Sequence, residues 1–258
     1  MKAAHYTNEE IQQIAAVNEA DVEIARDMWR RYSLPLFRDL IDAPLYGSGE
    51  RARIAWDART RRYIYTANGY RIPPIEIRNR IIEPFLANVR FAMRFVSARL
   101  QSGEITLIEW QREMYNLTKY PQLAAALIAN GGARNSTQTD YAAIAALILA
   151  LLLFLQAFVL DIEAGKQLLN GTLLTRGDLY ANAGRDAYEE MGRYGERLYL
   201  GSTMERRVLD PGAHHCHTID DWTGCPELAE LGWRPIGTLP RLYDTPCRTN
   251  CRCHFEYQ

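Results

Sequence analysis

All five cysteines of this 258-residue chain, Cys216, Cys225, Cys247, Cys251 and Cys253, fall within its last 43 residues. His214, His215, His217 and His254 lie in or just ahead of the same stretch, and only His5 lies elsewhere. Ordinary core packing does not sort residues in this way. A terminal segment this short buries little apolar surface, so a metal or disulfides must supply stability that packing cannot. The pattern predicts a small stapled module following a larger body that needs no staple.

Soft thiolates favour zinc, commonly four in a closed tetrahedron. The chain offers Cys216-x8-Cys225, a 21-residue excursion, then Cys247-x3-Cys251-x-Cys253. Neither half is the common C-x2-C knuckle. The preferred set is Cys216, Cys225, Cys247 and one of Cys251 or Cys253, with His217 or His254 as substitutes for a thiolate. Cys251 and Cys253 share a face if their segment is extended. Disulfides and unbridged thiols are the alternatives, and an odd count leaves one cysteine over under full pairing. No secretory segment opens the chain, which points to assembly in a reducing cytosol and so to metal or thiols. A closed site of this kind is structural. Asp220, Asp221 and Glu227 stand near enough on paper to serve a catalytic one, but read as solvated surface.

The rest of the chain suits the larger body. Thirty basic residues nearly balance 31 acidic ones, so no global field demands a nucleic-acid partner. Residues 1–45 read as an N-terminal helical arm: Glu9 to Ala43 is helical but broken near Pro35, after which Leu36, Phe37, Leu40 and Ile41 mark a short second helix. Residues 46–75 read as a small antiparallel meander, with turns at Asp57-Ala58-Arg59-Thr60 and Asn68-Gly69. Arg51, Arg53, Arg59, Arg61 and Arg62 cluster there among aromatics and are candidates for contact with a phosphate backbone. A solvated strand face is the plainer alternative.

Residues 76–200 read as a helical domain. Ile77, Ile81, Phe85, Val89, Ala92, Val96 and Leu100 mark an amphipathic helix, with Pro84 as a bend. Thr106 and Glu109 have the capping-box spacing, and Pro121 is expected to interrupt the helix they open. Thr137 and Asp140 open the next. Ala142 to Leu160 is nineteen residues with Gln156 its only polar member. That length reaches a membrane span, but also suits a bundle helix buried on all sides. A last long helix opens at Thr175. Residues 201–258 form the cysteine-rich α/β module. The fold class is α+β, mainly helical.

The tail carries a resemblance. From Arg206 it runs Arg-Arg-Val-Leu-Asp-Pro-Gly-Ala-His-His-Cys, continues through Cys225 and Gly232-Trp233-Arg234-Pro235-Ile236-Gly237-Thr238-Leu239-Pro240, and closes on Cys247-Arg248-Thr249-Asn250-Cys251-Arg252-Cys253. This resembles the C-terminal signature of the Mu F-like family of phage minor head, or head morphogenesis, proteins. The likeness extends more weakly to Arg51, and only the cysteine tail is specific. Members place two cysteines close together before the glycine-tryptophan region; here Ile219 stands where the second is expected, and Cys225 takes its role. Cys247 occupies a region where many members have histidine.

The resemblance implies a non-enzymatic virion protein of the head, near the portal or neck, assembled in the host cytoplasm. Its implied partners are portal and major capsid protein, sibling copies and packaged DNA. It also implies that the apolar run belongs to a soluble helical domain, leaving membrane contact as a transient event. Alternatives are a DNA-binding or membrane-active ejection protein released with the genome, and an enzyme or toxin. The chain contains no P-loop, H-E-x-x-H or G-x-S-x-G pattern.

Overall fold

The structure, a computed structural model, describes residues 1–42 and 54–258. Arg51 and Arg53 lie outside the described residues. The chain is mainly helical, with small antiparallel sheets near its start and in its C-terminal region.

Ahead of the expected break at Pro35, the N-terminal segment is two helices where a single one was expected. Helix α1 spans Asn8–Ala15 and α2 spans Glu19–Tyr32, each opened by a reciprocal capping box: Thr7 with Glu10, then Asn18 with Asp21. Asn18 takes an extended backbone and accepts from the Asp21 N–H, so a new helix starts where continuation was anticipated. A 3-10 turn follows at Pro35–Ile41. Trp29 is fully buried, lies 4.7 Å from the Phe85 ring, and donates its indole N–H to the Phe37 carbonyl at 2.9 Å. The first two helices therefore pack on the main core.

Strands β1 (Ile54–Asp57) and β2 (Arg62–Tyr65) form the expected hairpin, with Trp56 opposite Tyr63. Arg71 returns beside Ile64. The hairpin seats on the end of a long helix, where Tyr63 donates to the Ile128 carbonyl at 2.8 Å. Trp56 approaches Gly131 so closely that a Cβ there would sit 2.1 Å from its ring, and the +78° φ also favours glycine.

Helix α3 (Pro74–Ile77) passes through a π turn at Arg78–Ile82 into α4 (Glu83–Gln101). Helix α5 (Leu107–Ala129) opens on the Thr106–Glu109 box and runs straight through Pro121. That corrects the expected interruption. Every residue from Leu117 to Ile128 is buried, and this packing outweighs the one backbone hydrogen bond that proline removes. Helix α5 lies at the centre, against α2, α4, α6 (Gln138–Glu163) and α7 (Gly171–Gly195). Helix α7 begins at the Asn170 cap rather than at Thr175, because the Asn170 side chain takes the Thr172 N–H. Gly184 lets α7 approach α4: a Cβ there would come within 2.6 Å of Leu86.

Helix α6 is not buried on all sides. Ile144, Ile148, Leu152, Leu155, Phe158 and Val159 face the core. Ala142, Ala146, Leu153, Phe154 and Ala157 face solvent, Phe154 at 54% exposure. Gln156 points inward, accepts from Tyr115 and Gln111, and donates to the Ala4 carbonyl. By length and composition α6 is the one helix among the described residues able to cross a membrane; 44% of its most apolar window is buried inside the protein.

After a π turn at Glu196–Leu200, the C-terminal module places β3 (Met204–Val208) between β4 (Arg234–Pro235) and β5 (His254–Tyr257), all antiparallel. A one-and-a-half-turn helix, α8 (Cys225–Glu230), closes over it.

Candidate metal centre

Three loops of the C-terminal module meet under α8. Cys225 is the first residue of that helix; Pro226 follows it, and its own N–H bonds to the Cys216 carbonyl at 3.0 Å. Thr245 to Asn250 make two tight turns, which bring Cys247 and then Cys251 back beneath Cys225. Cys251 is extended, so Cys253 follows on the same side before β5 begins.

The sulfurs of Cys225, Cys251 and Cys253 all lie within 4.8 Å of one another, and all three residues are buried. The Cys225 and Cys251 sulfurs are 3.5 Å apart. These three are close enough to share one metal ion. Cys247 is half-buried at the edge, its sulfur 3.9 Å from that of Cys225 and accepting the Cys216 N–H at 3.3 Å. Cys216 stands beyond it. All five thiols are unbridged. The preferred set joined Cys216, Cys225 and Cys247 with one of the last two cysteines. The structure instead gathers both of those around Cys225 and leaves Cys216 outside.

The two histidines offered as substitutes point elsewhere. His217 is exposed and paired with Glu227 at 2.9 Å. His254 is half-buried on β5; burial, and then the nearby Arg78 charge, lower its pKa. His215, which the spacing did not single out, has its Nδ1 3.8 Å from the Cys253 sulfur and its Nε2 2.8 Å from the Asp210 carbonyl oxygen.

The thiols strongly perturb one another. Cys251 alone is drawn down, to about 2, by hydrogen bonds from Cys225 and Cys253. Cys225 is pushed far up, first by its contacts with Cys251 and Cys253 and then by burial. Cys253 is pulled down by Cys225, but the Cys251 contact and burial outweigh this and push it up to about 12. A bound divalent ion would be held by the thiolates and would drive off their protons.

Buried arginines hold the cluster against the helical body. Arg78, from the π turn before α4, pairs with Glu189 of α7 at 2.8 Å. It also donates to the carbonyls of Cys253 (2.7 Å) and Arg252 (2.6 Å). Arg185 of α7 bonds Glu83 at 2.9 Å and the carbonyls of Cys251 (2.8 Å) and Thr249 (3.2 Å). Arg193 bonds Glu205 of β3 and the Leu239 carbonyl. The segment carrying Cys251 and Cys253 lies outside any sheet, so guanidinium donors satisfy carbonyls that a sheet would otherwise pair. A charged residue inside an amphipathic helix reads as surface, so the sequence carried no signal for this fastening.

The arginine cluster near the N-terminus divides. Arg59 is exposed on its turn. Arg61 bonds Asn130 at 3.1 Å and lies over the Tyr199 ring at 4.1 Å, while Arg62 pairs with the buried Glu196. Both therefore tie the hairpin to the body rather than face solvent as a phosphate-binding row.

Comparison of the chain with family models, curated proteins and solved structures finds no match.

Proposed function

We propose that this chain is a non-enzymatic structural minor head protein of a tailed phage, contacting portal, capsid or sibling copies during head assembly and DNA packaging, and that its C-terminal module is stapled by a structural zinc. The C-terminal signature carries the first half. The apolar outer face of α6 supports it: Ala142, Ala146, Leu149, Leu153, Ala157 and Leu160 recur every three or four residues and are exposed or half-exposed. A stripe with that spacing suits a second helix laid alongside. The opposite face of α6 is locked into the core and the tail is bolted on by arginines, so the surface offered to a neighbour is rigid.

The sulfur separations support zinc. Four ligands about 2.3 Å from zinc stand about 3.8 Å apart along a tetrahedron edge. The 3.5 Å separation of the Cys225 and Cys251 sulfurs lies within about 0.3 Å of that value.

Co-expression with portal and capsid proteins of a tailed phage tests the assembly role. Co-sedimentation with assembled heads, weakened by Leu149→Glu and Leu153→Glu, is the expected result. A chain that stays free of heads and portals overturns it.

The same face of α6 also favours a second reading, a membrane-active ejection protein. Leakage from liposomes, abolished by those two substitutions, would favour it; intact liposomes would remove it. The DNA-binding alternative draws less support, since Arg61 and Arg62 are engaged within the fold.

A further inference from the structure

Three cysteines leave a tetrahedral site one ligand short, and two groups stand at its edge. One is Cys247, beside Cys225. The other is His215, beside Cys253. Building on the zinc reading above, we propose that the fourth ligand is Nδ1 of His215, giving a Cys225, Cys251, Cys253 and His215 centre, with Cys216 and Cys247 outside it.

The first reason is the anchoring of the imidazole. Its Nε2 lies 2.8 Å from the Asp210 carbonyl oxygen, which can only accept, so the ring proton sits on Nε2. The lone pair is then on Nδ1, the nitrogen 3.8 Å from the Cys253 sulfur. Metal-bound histidines are held this way, the far nitrogen donating to a carbonyl or carboxylate. A ligand edge between sulfur at about 2.3 Å and nitrogen at about 2.0 Å from zinc spans about 3.5 Å, so the Cys253 edge is nearly formed, while closing on Cys225 and Cys251 requires the His215 loop to move in over the mutually close sulfurs.

The second reason is charge. Zinc with three thiolates and a neutral imidazole carries one net negative charge, whereas four thiolates carry two. Arg78, Arg185 and Arg193 are each matched by a glutamate. Arg207 is 2% exposed and has no carboxylate partner among the described residues. It donates to the Pro240 carbonyl and covers the Phe255 ring at 4.5 Å, while its Nε and Nη1 have no partner. The Arg207 charge acts on Cys251 and Cys253, but Glu189 is buried and Glu190 half-buried in the same seam. A centre of charge minus one therefore leaves less buried negative charge to compensate than one of minus two.

The third reason is the remainder. Removing three cysteines from five leaves Cys216 and Cys247, which already bond each other through the Cys216 N–H and the Cys247 sulfur. Both are half-exposed, unlike the three buried thiols.

The test loads the full-length protein with Zn(II) for X-ray absorption and with Co(II) for visible spectra. Three sulfurs near 2.3 Å and one nitrogen near 2.0 Å are expected, within about 0.2 Å. Cys216→Ser/Cys247→Ser should keep one metal per chain and an unchanged Co(II) spectrum. His215→Ala should bind Co(II) more weakly by at least the roughly 10–100-fold that losing an outer partner costs, and His215→Cys should restore binding with a four-sulfur spectrum. Four sulfurs in the native protein, or a spectrum changed by Cys247→Ser and not by His215→Ala, would overturn the assignment and make Cys247 the ligand. Wild-type protein that takes up neither ion would instead remove the zinc reading beneath it. Far-ultraviolet circular dichroism of each variant separates a lost ligand from a lost fold.

Discussion

The helical body and the cysteine tail solve the same problem by opposite means. The body buries a continuous apolar core from Ala3 to Met191, with Trp29, Phe85, Trp110 and Phe158 almost wholly enclosed. The tail encloses only Leu228, Leu239, Leu242 and Phe255 around three cysteines. Apolar burial stabilises a fold by about 25 cal/mol per Å² removed from water. Four side chains cannot offset the ordering of over fifty residues on those terms. The tail is fastened by arginines supplied by the body and, on the zinc reading, by its sulfurs. Where apolar surface is plentiful, polar fastening is secondary; where it is scarce, directed bonds replace it.

Breaking the sulfur centre should separate the two regions most sharply. On the zinc reading, Cys251→Ser removes a buried ligand, and structural zinc sites contribute about 10–16 kcal/mol in small metal-dependent folds. Limited proteolysis should then cut within residues 204–258 while α4, α5 and α7 stay intact. Arg78→Ala acts at the junction. It leaves Glu189 buried without its partner and frees the Cys253 and Arg252 carbonyls, at a cost of about 3–5 kcal/mol. Urea unfolding followed at Trp222 and Trp233 should show the tail detaching before the body melts. Trp29→Ala should also cost about 3–5 kcal/mol, but in the body, with metal content unchanged by elemental analysis.

Glu190 sharpens the comparison at the seam. Burial, then the neighbouring Asp186 carboxyl, push its pKa up to about 7. A carboxyl raised on folding contributes its full stability below the ordinary carboxylate pKa of about 4.3, and loses it as pH rises towards 7. Glu190→Gln should therefore stabilise the protein by about 1–3 kcal/mol at pH 8, shrinking to nothing near pH 4 in thermal melts. The smallest effect expected is Thr106→Ala, about 1 kcal/mol, from losing one helix cap of the body.

Much of the body could be read from residues alone, because its helices announce themselves locally. The Thr106–Glu109 and Thr137–Asp140 caps, the hairpin turns and the amphipathic run from Ile77 to Leu100 all depend on short spacings. The errors came where a long-range cause competed. Pro121 stays helical because its neighbours are buried. The Asn18 start was passed over because an Asn–Asp box is a quieter signal than a Thr–Glu one. In the tail, the cysteines marked the module but not the ligand geometry. Which sulfurs meet depends on turns at Thr245–Asn250 and on Arg78 and Arg185 reaching from the body. His215 is one of three near-adjacent histidines, and its place beside Cys253 and its anchor on Asp210 set it apart only in three dimensions.

Hydrogen–deuterium exchange on the full-length protein, with and without a strong zinc chelator, tests the division between the two regions most directly. The expected result is loss of protection across residues 204–258, reversed by adding Zn(II), with α4, α5 and α7 unchanged. A tail equally protected in both conditions would contradict a metal-stapled module.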